Sequence, residues 1–132
     1  MIKDIFKRLS RDFLVKKTKR YIQISIPLVL LTSGTLLILR IKQSKDGYTI
    51  YCPTNMFLEA NARGNQTYYF NIFEKNDKNY HYDIKIKRGK IYKDYPEDSS
   101  VITAIDEFIR FYIMLDNFMI NNSVIGSENK FE

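Results

Sequence analysis

The sequence predicts an α+β protein in which an antiparallel sheet packs against helices from both ends of the chain. Isoleucines recur at alternate positions in residues 22–26 and 84–86, the period of a half-buried strand, and apolar residues recur at helical spacing at both termini. The expected order is an N-terminal helix, a three-strand antiparallel meander, a second hairpin and a long apolar C-terminal helix packed on the sheet. The 132 residues suit a single domain at 1–120, followed by a flexible polar tail at 121–132.

The N-terminal segment Met1–Val15 is predicted to form an amphipathic helix. Its apolar residues, Ile2, Ile5, Phe6, Leu9 and Phe13, share one helical face, and charged residues occupy the other. The basic stretch Lys16–Arg20 follows and is expected to end this helix.

Residues 21–39 contain no charged side chain, and two interpretations of this segment stay open. A stretch of about 20 apolar residues between basic clusters is typical of a membrane span, here at residues 22–41. The alternation of Ile22, Ile24 and Ile26 with other residue types, and the turn-forming residues Thr32–Thr35, favour a buried β-hairpin instead. We adopt the hairpin as the leading interpretation.

The meander continues through a second tight turn at Asp46-Gly47. Residues 36–42 form its second strand, and Tyr48–Cys52 forms its third. Pro53 ends the third strand because proline has no N–H to donate to a neighbouring strand.

The clearest strand is predicted over Tyr80–Lys87, and Arg88-Gly89 can turn the chain back as a two-residue loop. Such a loop pairs Lys87 with Lys90, Ile86 with Ile91, and Lys85 with Tyr92. This register separates an apolar face from a basic one, and Lys93 is the one misfit on the apolar face.

The last helix is predicted to begin after a cap at Asp98 or Ser99 and to run to about Ile120. Apolar residues cover most of its circumference, so the helix either lies at the centre of the core or is shared with a second copy of the chain. The candidate dimer face consists of Phe111, Met114, Leu115 and Phe118.

Few side chains are available for catalysis. The chain has one histidine, one cysteine and five glycines, and the glycines are scattered singly rather than grouped into a phosphate-binding loop. Paired cysteines and a second histidine, the usual zinc ligands, are missing from the sequence. We therefore expect a non-enzymatic protein without metal or cofactor. The single Cys52 fits a reducing compartment, so the cytoplasm is the expected location.

The net charge of +6 is concentrated in residues 1–20 and 75–93, which suggests an anionic partner. Cations beside an aromatic ring suit a phosphate backbone and an unstacked base. The ordinary alternatives are that lysines protect exposed strand edges and that charged residues are simply solvated. The candidate contacts with a nucleic acid or partner are Lys85, Lys87, Arg88, Lys90, Tyr92, Arg8, Arg11, Lys16, Lys17, Lys19 and Arg20.

The order of elements resembles an uncharacterised family. The resemblance rests on the Ile-rich strand ending at Pro27, the turn and strand Asp46-Gly47-Tyr48-Thr49-Ile50, and the closing helix Ala104–Ile120. The members of this family are small proteins of phages, mobile elements and low-GC Gram-positive bacteria, known only as a domain of unknown function. The resemblance implies an intracellular protein with no catalytic residues to carry over.

These observations lead to one functional hypothesis and two alternatives. The leading hypothesis is a small binding or regulatory protein, encoded by a phage or mobile element, that acts on a nucleic acid or a nucleoprotein machine. An inhibitor of a host defence nuclease would be one example. The alternatives are a homodimeric protein-protein interaction module and a single-span membrane protein.

Overall fold

The computed structural model describes residues 2–29, 36–53, 83–87 and 90–131, and within these ranges it describes side chains between residues 4 and 118. The α+β class is confirmed. In chain order the elements are α1 (Ile2–Leu9), β1 (Leu14–Lys17), β2 (Ile22–Val29), β3 (Leu36–Ser44), β4 (Gly47–Tyr51), β5 (Lys85–Lys87), β6 (Lys90–Pro96) and α2 (Val101–Phe131).

The six strands found within the described residues belong to one sheet, in the order β1-β2-β3-β4-β6-β5, and every neighbouring pair is antiparallel. The predicted meander is β2-β3-β4. The strand β6 extends it by pairing with β4, so the second hairpin joins the sheet through its second strand. This pairing joins distant parts of the sequence, because β4 ends at Tyr51 and β6 begins at Lys90.

Residues 22–29 and 36–41 lie in the strands β2 and β3, so the alternative of a helical membrane span at residues 22–41 is wrong, and the strands expected of the hairpin are present. Ile22 lies opposite Ile41 and Ile26 lies opposite Leu37, as antiparallel pairing of β2 and β3 requires. The proposed turn residues Thr32–Thr35 lie outside the described residues. Among the helices that the structure describes, none has both the length and the apolar composition needed to cross a membrane.

One face of the sheet, the covered face, carries the core. The period-2 alternation predicted for β2 is confirmed, since Ile22, Ile24 and Ile26 are buried and their neighbours are more exposed. The helices α1 and α2 contribute to the same cluster of buried residues. On the same face, the Nζ of Lys17 lies 5.6 Å from the ring centroid of Phe6 in α1. Among the residues that the structure describes, the buried apolar ones are Ile5, Leu9, Ile22, Ile24, Ile26, Leu37, Leu39, Ile41, Tyr48, Ile50, Ile84, Ile91, Tyr95, Ala104, Ile105, Phe108, Phe111, Tyr112 and Leu115.

The first helix is shorter than predicted. It ends at Leu9, and Leu14–Lys17 forms the edge strand β1 instead of the end of a helix. The hydroxyl of Ser10 donates to the carbonyl oxygen of Phe6 at 2.7 Å, beside the backbone N–H of Ser10 at 2.9 Å, and such a side-chain bond slightly destabilises a helix. Pairing of β1 with Ile22–Ser25 then outweighs the helical pattern of the segment, an effect of tertiary contacts on local preference.

The last helix is capped later than predicted and is longer. The backbone N–H of Thr103 donates to Oγ of Ser100 at 3.3 Å, so Ser100 is the N-cap rather than Asp98 or Ser99. The helix continues through residues 121–131, the segment predicted to be a polar tail. Asparagine and serine lower helix propensity there, but they do not break a helix as proline does.

The predicted register of the second hairpin is confirmed. Lys85 pairs with Tyr92, and Lys87 pairs with Lys90, whereas Tyr80–Tyr82 and the turn Arg88-Gly89 lie outside the described residues. The predicted strand is nevertheless too long at its start, because Asp83 has a φ of 59°, a left-handed conformation that extended strands do not adopt. Lys93 is accommodated on the covered face by an ion pair with Glu107 of α2, with Nζ and Oε2 3.2 Å apart.

The second turn lies one residue earlier than predicted. Gly47 pairs with Ser44, so the loop residues are Lys45 and Asp46. Gly47 is required by the close approach of β6, since a Cβ atom at this position would clash with the carbonyl oxygen of Tyr95. The absence of a side chain at Gly47 therefore lets the end of β6 pack against β4.

Candidate nucleic-acid interface

A row of directly paired residues crosses the described sheet from β1 to β5 on the face opposite the covered face. Each register places one residue of the row beside the next, so the row crosses the sheet from one edge to the other. Neighbouring strands are about 4.8 Å apart, which makes the row about 24 Å long. We call it the cross-strand row, and in strand order it consists of Lys16, Gln23, Arg40, Tyr51, Tyr92 and Lys85.

Cations and aromatic rings contact one another along this row. The Nζ of Lys85 lies 5.8 Å from the ring centroid of Tyr92. The Nζ of Lys42, two residues after Arg40 on the same face of β3, lies 5.5 Å from the ring centroid of Tyr51. Both distances are within the range of cation–π interactions, each worth about 0.5–1 kcal/mol at an exposed site.

Arg40 is held in place by two partners. Its Nε donates to Oε1 of Gln23 at 3.0 Å, and its Cζ lies 4.2 Å from the ring centroid of Tyr21. A guanidinium has five N–H donors, and the bond to Gln23 uses one of them. The side chain is therefore oriented with donor capacity left for a ligand.

Further cations flank the row. Lys87 and Lys90 lie opposite each other on β5 and β6, and both are exposed. On the other flank, Thr49 lies between Lys42 and Asp94 in the ladder, and its hydroxyl bonds to a carboxylate oxygen of Asp94. We call the cross-strand row together with Lys42, Lys87 and Lys90 the basic–aromatic face.

A groove of about 460 Å³ lies over β3, β4 and β6 within the basic–aromatic face. The residues that line it are Arg40, Lys42, Tyr51, Cys52, Pro53, Lys90, Ile91 and Tyr92. The backbone N–H of Cys52 donates to the carbonyl oxygen of Ile91 at 3.0 Å, which ties the end of β4 to β6 beside the groove. The volume of the groove is within the range of small-ligand sites, about 300–1,000 Å³.

The structure brings some of the sequence-predicted contacts together and separates others. Lys85, Lys87, Lys90 and Tyr92 lie on the basic–aromatic face, and Lys16 joins them from β1. Arg88 lies outside the described residues. Sequence reasoning missed Arg40, Lys42 and Tyr51, because their relation to Tyr92 depends on the pairing of β4 with β6.

The other N-terminal cations do not form one helical surface. Arg8 lies in α1 and forms an ion pair with Asp12, with Nη1 and Oδ2 2.9 Å apart, and Arg11 lies in the turn after this helix. Lys17 faces α1, and Lys19 and Arg20 form the turn between β1 and β2. The cations expected on one surface of the N-terminal helix are thus divided among α1, the turn after it, β1 and the turn between β1 and β2.

The candidate dimer face needs correction. Phe111 and Leu115 are 0% and 1% exposed, because both point into the chain's own core rather than toward solvent. Met114 and Phe118 are half-buried. The apolar residues around α2 are thus explained largely by the packing of this helix on the sheet, while Ile113 is left 41% exposed.

Buried tyrosines on the covered face contact α2 and the turn before it. The hydroxyl of Tyr95 donates to Oε2 of Glu107 at 3.0 Å, and that of Tyr48 donates to the carbonyl oxygen of Ser99 at 3.2 Å. Burial, reinforced by the negative charge of Glu107, raises the pKa of Tyr48 to about 12. The same two causes, followed by the hydrogen bond to Glu107, raise the pKa of Tyr95 further.

Within the part of the chain that the structure describes, no three His, Cys, Asp or Glu side chains cluster closely enough to hold a metal ion. No protein-family model matches the chain, and comparisons with curated proteins and with solved structures find no match either. The geometry of the basic–aromatic face is therefore the basis for a functional proposal.

Proposed function

We propose that this protein binds single-stranded nucleic acid on the basic–aromatic face. Lysine and arginine side chains neutralise backbone phosphates, and exposed aromatic rings stack unpaired bases. The face offers both, with Arg40 and Lys85 on either side of the directly opposed Tyr51 and Tyr92. A single-stranded nucleic acid lying along the cross-strand row would contact cations toward the ends of the row and the two tyrosine rings between them.

The position of these residues in the sheet carries the proposal. Lysines on an outer strand are explained by protection of the sheet edge, and that explanation covers Lys16 on β1 and Lys85 on β5. It does not cover Arg40, Tyr51 and Tyr92, because β3, β4 and β6 are interior strands with both edges paired. Binding of an anionic, aromatic ligand explains the interior and the edge positions together.

A single strand fits this arrangement better than a duplex does. Stacking on a tyrosine requires a base whose face is accessible, and in a duplex the base faces are covered by neighbouring base pairs. A duplex can still contact the lysines through its phosphates. We therefore expect tighter binding to a single strand than to a duplex of the same length at the same salt concentration.

Fluorescence anisotropy with a labelled oligothymidylate of about 12 nucleotides, within the site sizes of known single-strand binders, tests the proposal. The triple variant Lys85→Glu, Lys87→Glu, Lys90→Glu should abolish binding at low salt. The matched control is Lys7→Glu, Lys45→Glu, Arg110→Glu, which changes the net charge equally at exposed positions off the face. If both triple variants lose binding equally, the loss is due to overall charge and not to this face. Unchanged binding in the first variant would contradict the proposal.

The aromatic contribution is tested separately. Tyr51→Ala and Tyr92→Ala should each weaken oligothymidylate binding by about 1–3 kcal/mol, the usual effect of losing one stacked base. Tyr51→Phe and Tyr92→Phe keep the ring face and should bind nearly as tightly as the unaltered protein. If the alanine variants bind as well as the phenylalanine variants, the rings do not stack bases.

We propose that the protein binds this nucleic acid within a nucleoprotein machine, for example a host defence nuclease. The support is the resemblance to small proteins of phages and mobile elements. Affinity purification from the native host, with and without nuclease treatment, tests this setting. A partner lost on nuclease treatment supports it, whereas a partner retained equally in both samples indicates direct protein-protein contact.

A second candidate function, homodimerisation, is favoured by apolar residues at one end of the sheet. Leu14, Val29 and Leu36 are 77%, 55% and 46% exposed, and Val29 lies directly opposite Leu36. Desolvating such residues favours association. The molar mass in solution tests this candidate: a dimer that Leu14→Glu dissociates supports it, and a monomer at high concentration contradicts it.

A further inference from the structure

We propose that the groove over β3, β4 and β6 holds one nucleotide unit, with its base against Tyr51 or Tyr92 and its phosphates at Arg40, Lys42 and Lys90. The ligand class is a nucleoside phosphate, either free or as one residue of a longer strand. This inference rests on the proposed function and deepens it, because it assigns the central contact of the basic–aromatic face to a defined cavity.

The register places cations at both ends of the groove and rings between them. Lys42 lies beside Thr49, toward the turn that joins β3 and β4. Lys90 lies two residues from Tyr92 in the opposite direction along β6. Arg40, Tyr51 and Tyr92 are directly paired in the middle. A base stacked on either ring therefore has a cation on each flank of the row to take its phosphate.

Arg40 is the best oriented of the three cations. Its bond to Gln23 and its stacking on Tyr21 fix the plane of the guanidinium before a ligand arrives. Arginine donates two parallel N–H groups to a phosphate, and orientation in advance lowers the entropic cost of binding. Arg40 therefore contributes more to phosphate binding than a solvent-exposed lysine of equal charge.

Lys42 can move from the ring of Tyr51 to a phosphate. Its contact with this ring is an exposed cation–π interaction worth about 0.5–1 kcal/mol. Stacking of a base on the same ring is worth about 1–3 kcal/mol. A base should therefore displace the ammonium group, which then becomes available to the phosphate of the same nucleotide.

Reaction of the Cys52 thiol can report whether the groove is occupied. Cys52 is one of the lining residues and is half-buried, and the sequence contains a single cysteine. Alkylation by a maleimide is thus a reaction at one known position. At a free ligand concentration of about ten times Kd, roughly one groove in eleven stays open, so alkylation should be about tenfold slower.

The experiment compares thymidine monophosphate, thymidine, inorganic phosphate and the oligothymidylate as protecting ligands for the full chain. The mononucleotide and the oligothymidylate should protect Cys52, and thymidine or phosphate alone should do so only at much higher concentration. If phosphate protects as well as the mononucleotide, the assignment of the base is overturned. If anisotropy shows that the oligothymidylate binds while the alkylation rate of Cys52 is unchanged, the assignment of a nucleotide to the groove is overturned and the proposed function stands. Loss of all binding overturns both.

Two variants locate the phosphate. Arg40→Gln and Lys90→Gln should each raise the mononucleotide concentration needed for half-maximal protection by about tenfold or more, since a charge-assisted contact is lost. Lys45→Gln removes the same charge at an exposed position outside the groove and should leave that concentration unchanged. Lys90 is exposed, so its variant keeps the test valid if Arg40→Gln does not fold. Equal protection curves for Lys90→Gln and Lys45→Gln would overturn the phosphate assignment.

Discussion

The two faces of the sheet are built from the same strands but obey different physical requirements. On the covered face, side chains such as Ile24, Leu39 and Ile50 are fully buried, and their burial drives folding. On the basic–aromatic face, side chains such as Arg40 and Tyr92 are only half-buried. Alternation along each strand thus assigns one set of residues to stability, and the other set is the one we propose for recognition.

The difference is one of how much each face contributes to the free energy of unfolding. A fully buried leucine or isoleucine contributes about 1.5–3 kcal/mol by transfer from water alone, whereas an exposed cation–π pair contributes about 0.5–1 kcal/mol. We therefore expect substitutions on the covered face to unfold the protein. Substitutions on the basic–aromatic face should change binding while the fold persists.

The largest expected effect compares two neighbours on β3. Leu39→Ala should lower the free energy of unfolding by about 2–5 kcal/mol, because Leu39 is fully buried and its truncation leaves a cavity. Ile38→Ala removes a half-buried side chain from the other face and should cost about 1 kcal/mol. Urea denaturation of both variants measures the difference, and equal losses would contradict the assignment of the two faces.

The second effect concerns the contact between β4 and β6. Gly47→Ala should cost about 3 kcal/mol, the upper part of the range for overpacking, because the new Cβ meets the backbone of Tyr95 and Pro96. Ser44→Ala, at the directly paired position on β3, is the control and should have little effect. A thermal melt of Gly47→Ala that matches the control would mean that β6 lies farther from β4.

The third effect is a loss of stability at alkaline pH. Tyr48 has a folded pKa of about 12 against 10.0 for an unperturbed tyrosine, so the unfolded chain releases its proton first as the pH rises. The stabilising contribution is complete below pH 10 and is lost between about pH 10 and 12. Tyr95 acts in the same direction. Urea denaturation across this range should show the decline, and the double variant Tyr48→Phe, Tyr95→Phe should make it shallower. An equally steep decline in this variant would exclude these two groups as its cause.

The smallest effect is expected for an exposed ion pair outside both faces. Arg8 and Asp12 have side chains that are 49% and 53% exposed, and such i,i+4 pairs contribute about 0.3–0.5 kcal/mol. Asp12→Asn should lower the free energy of unfolding by no more than that, and added salt should reduce the difference. A loss above about 1 kcal/mol would indicate that α1 depends on this pair more than its exposure suggests.

Local patterns in the sequence predict the parts of the fold that depend on neighbouring residues. The pairing of Ile86 with Ile91 follows from a two-residue loop and is confirmed, as is the meander of β2, β3 and β4. The strand β1 is not predictable in this way. Its residues continue a helical pattern, and only pairing with β2 changes their conformation.

The candidate site shows the same division between local and non-local information. Lys85, Lys87, Lys90 and Tyr92 belong to one hairpin and are recognised from sequence, and the structure places them together. Tyr51 joins them only because β6 pairs with β4 and places Tyr92 directly opposite it. A pairing between segments so distant in sequence leaves no local pattern, so the centre of the basic–aromatic face could not be predicted.

Chemical-shift mapping tests the central claim most directly. Titration of isotope-labelled protein with the oligothymidylate should shift the amide signals of Arg40, Tyr51, Tyr92 and Lys85, which lie in one row across four strands. The signals of Phe108 and Tyr112 in α2, behind the covered face, should stay in place. Shifts confined to α1 or α2, or no shifts at low salt, would contradict the account.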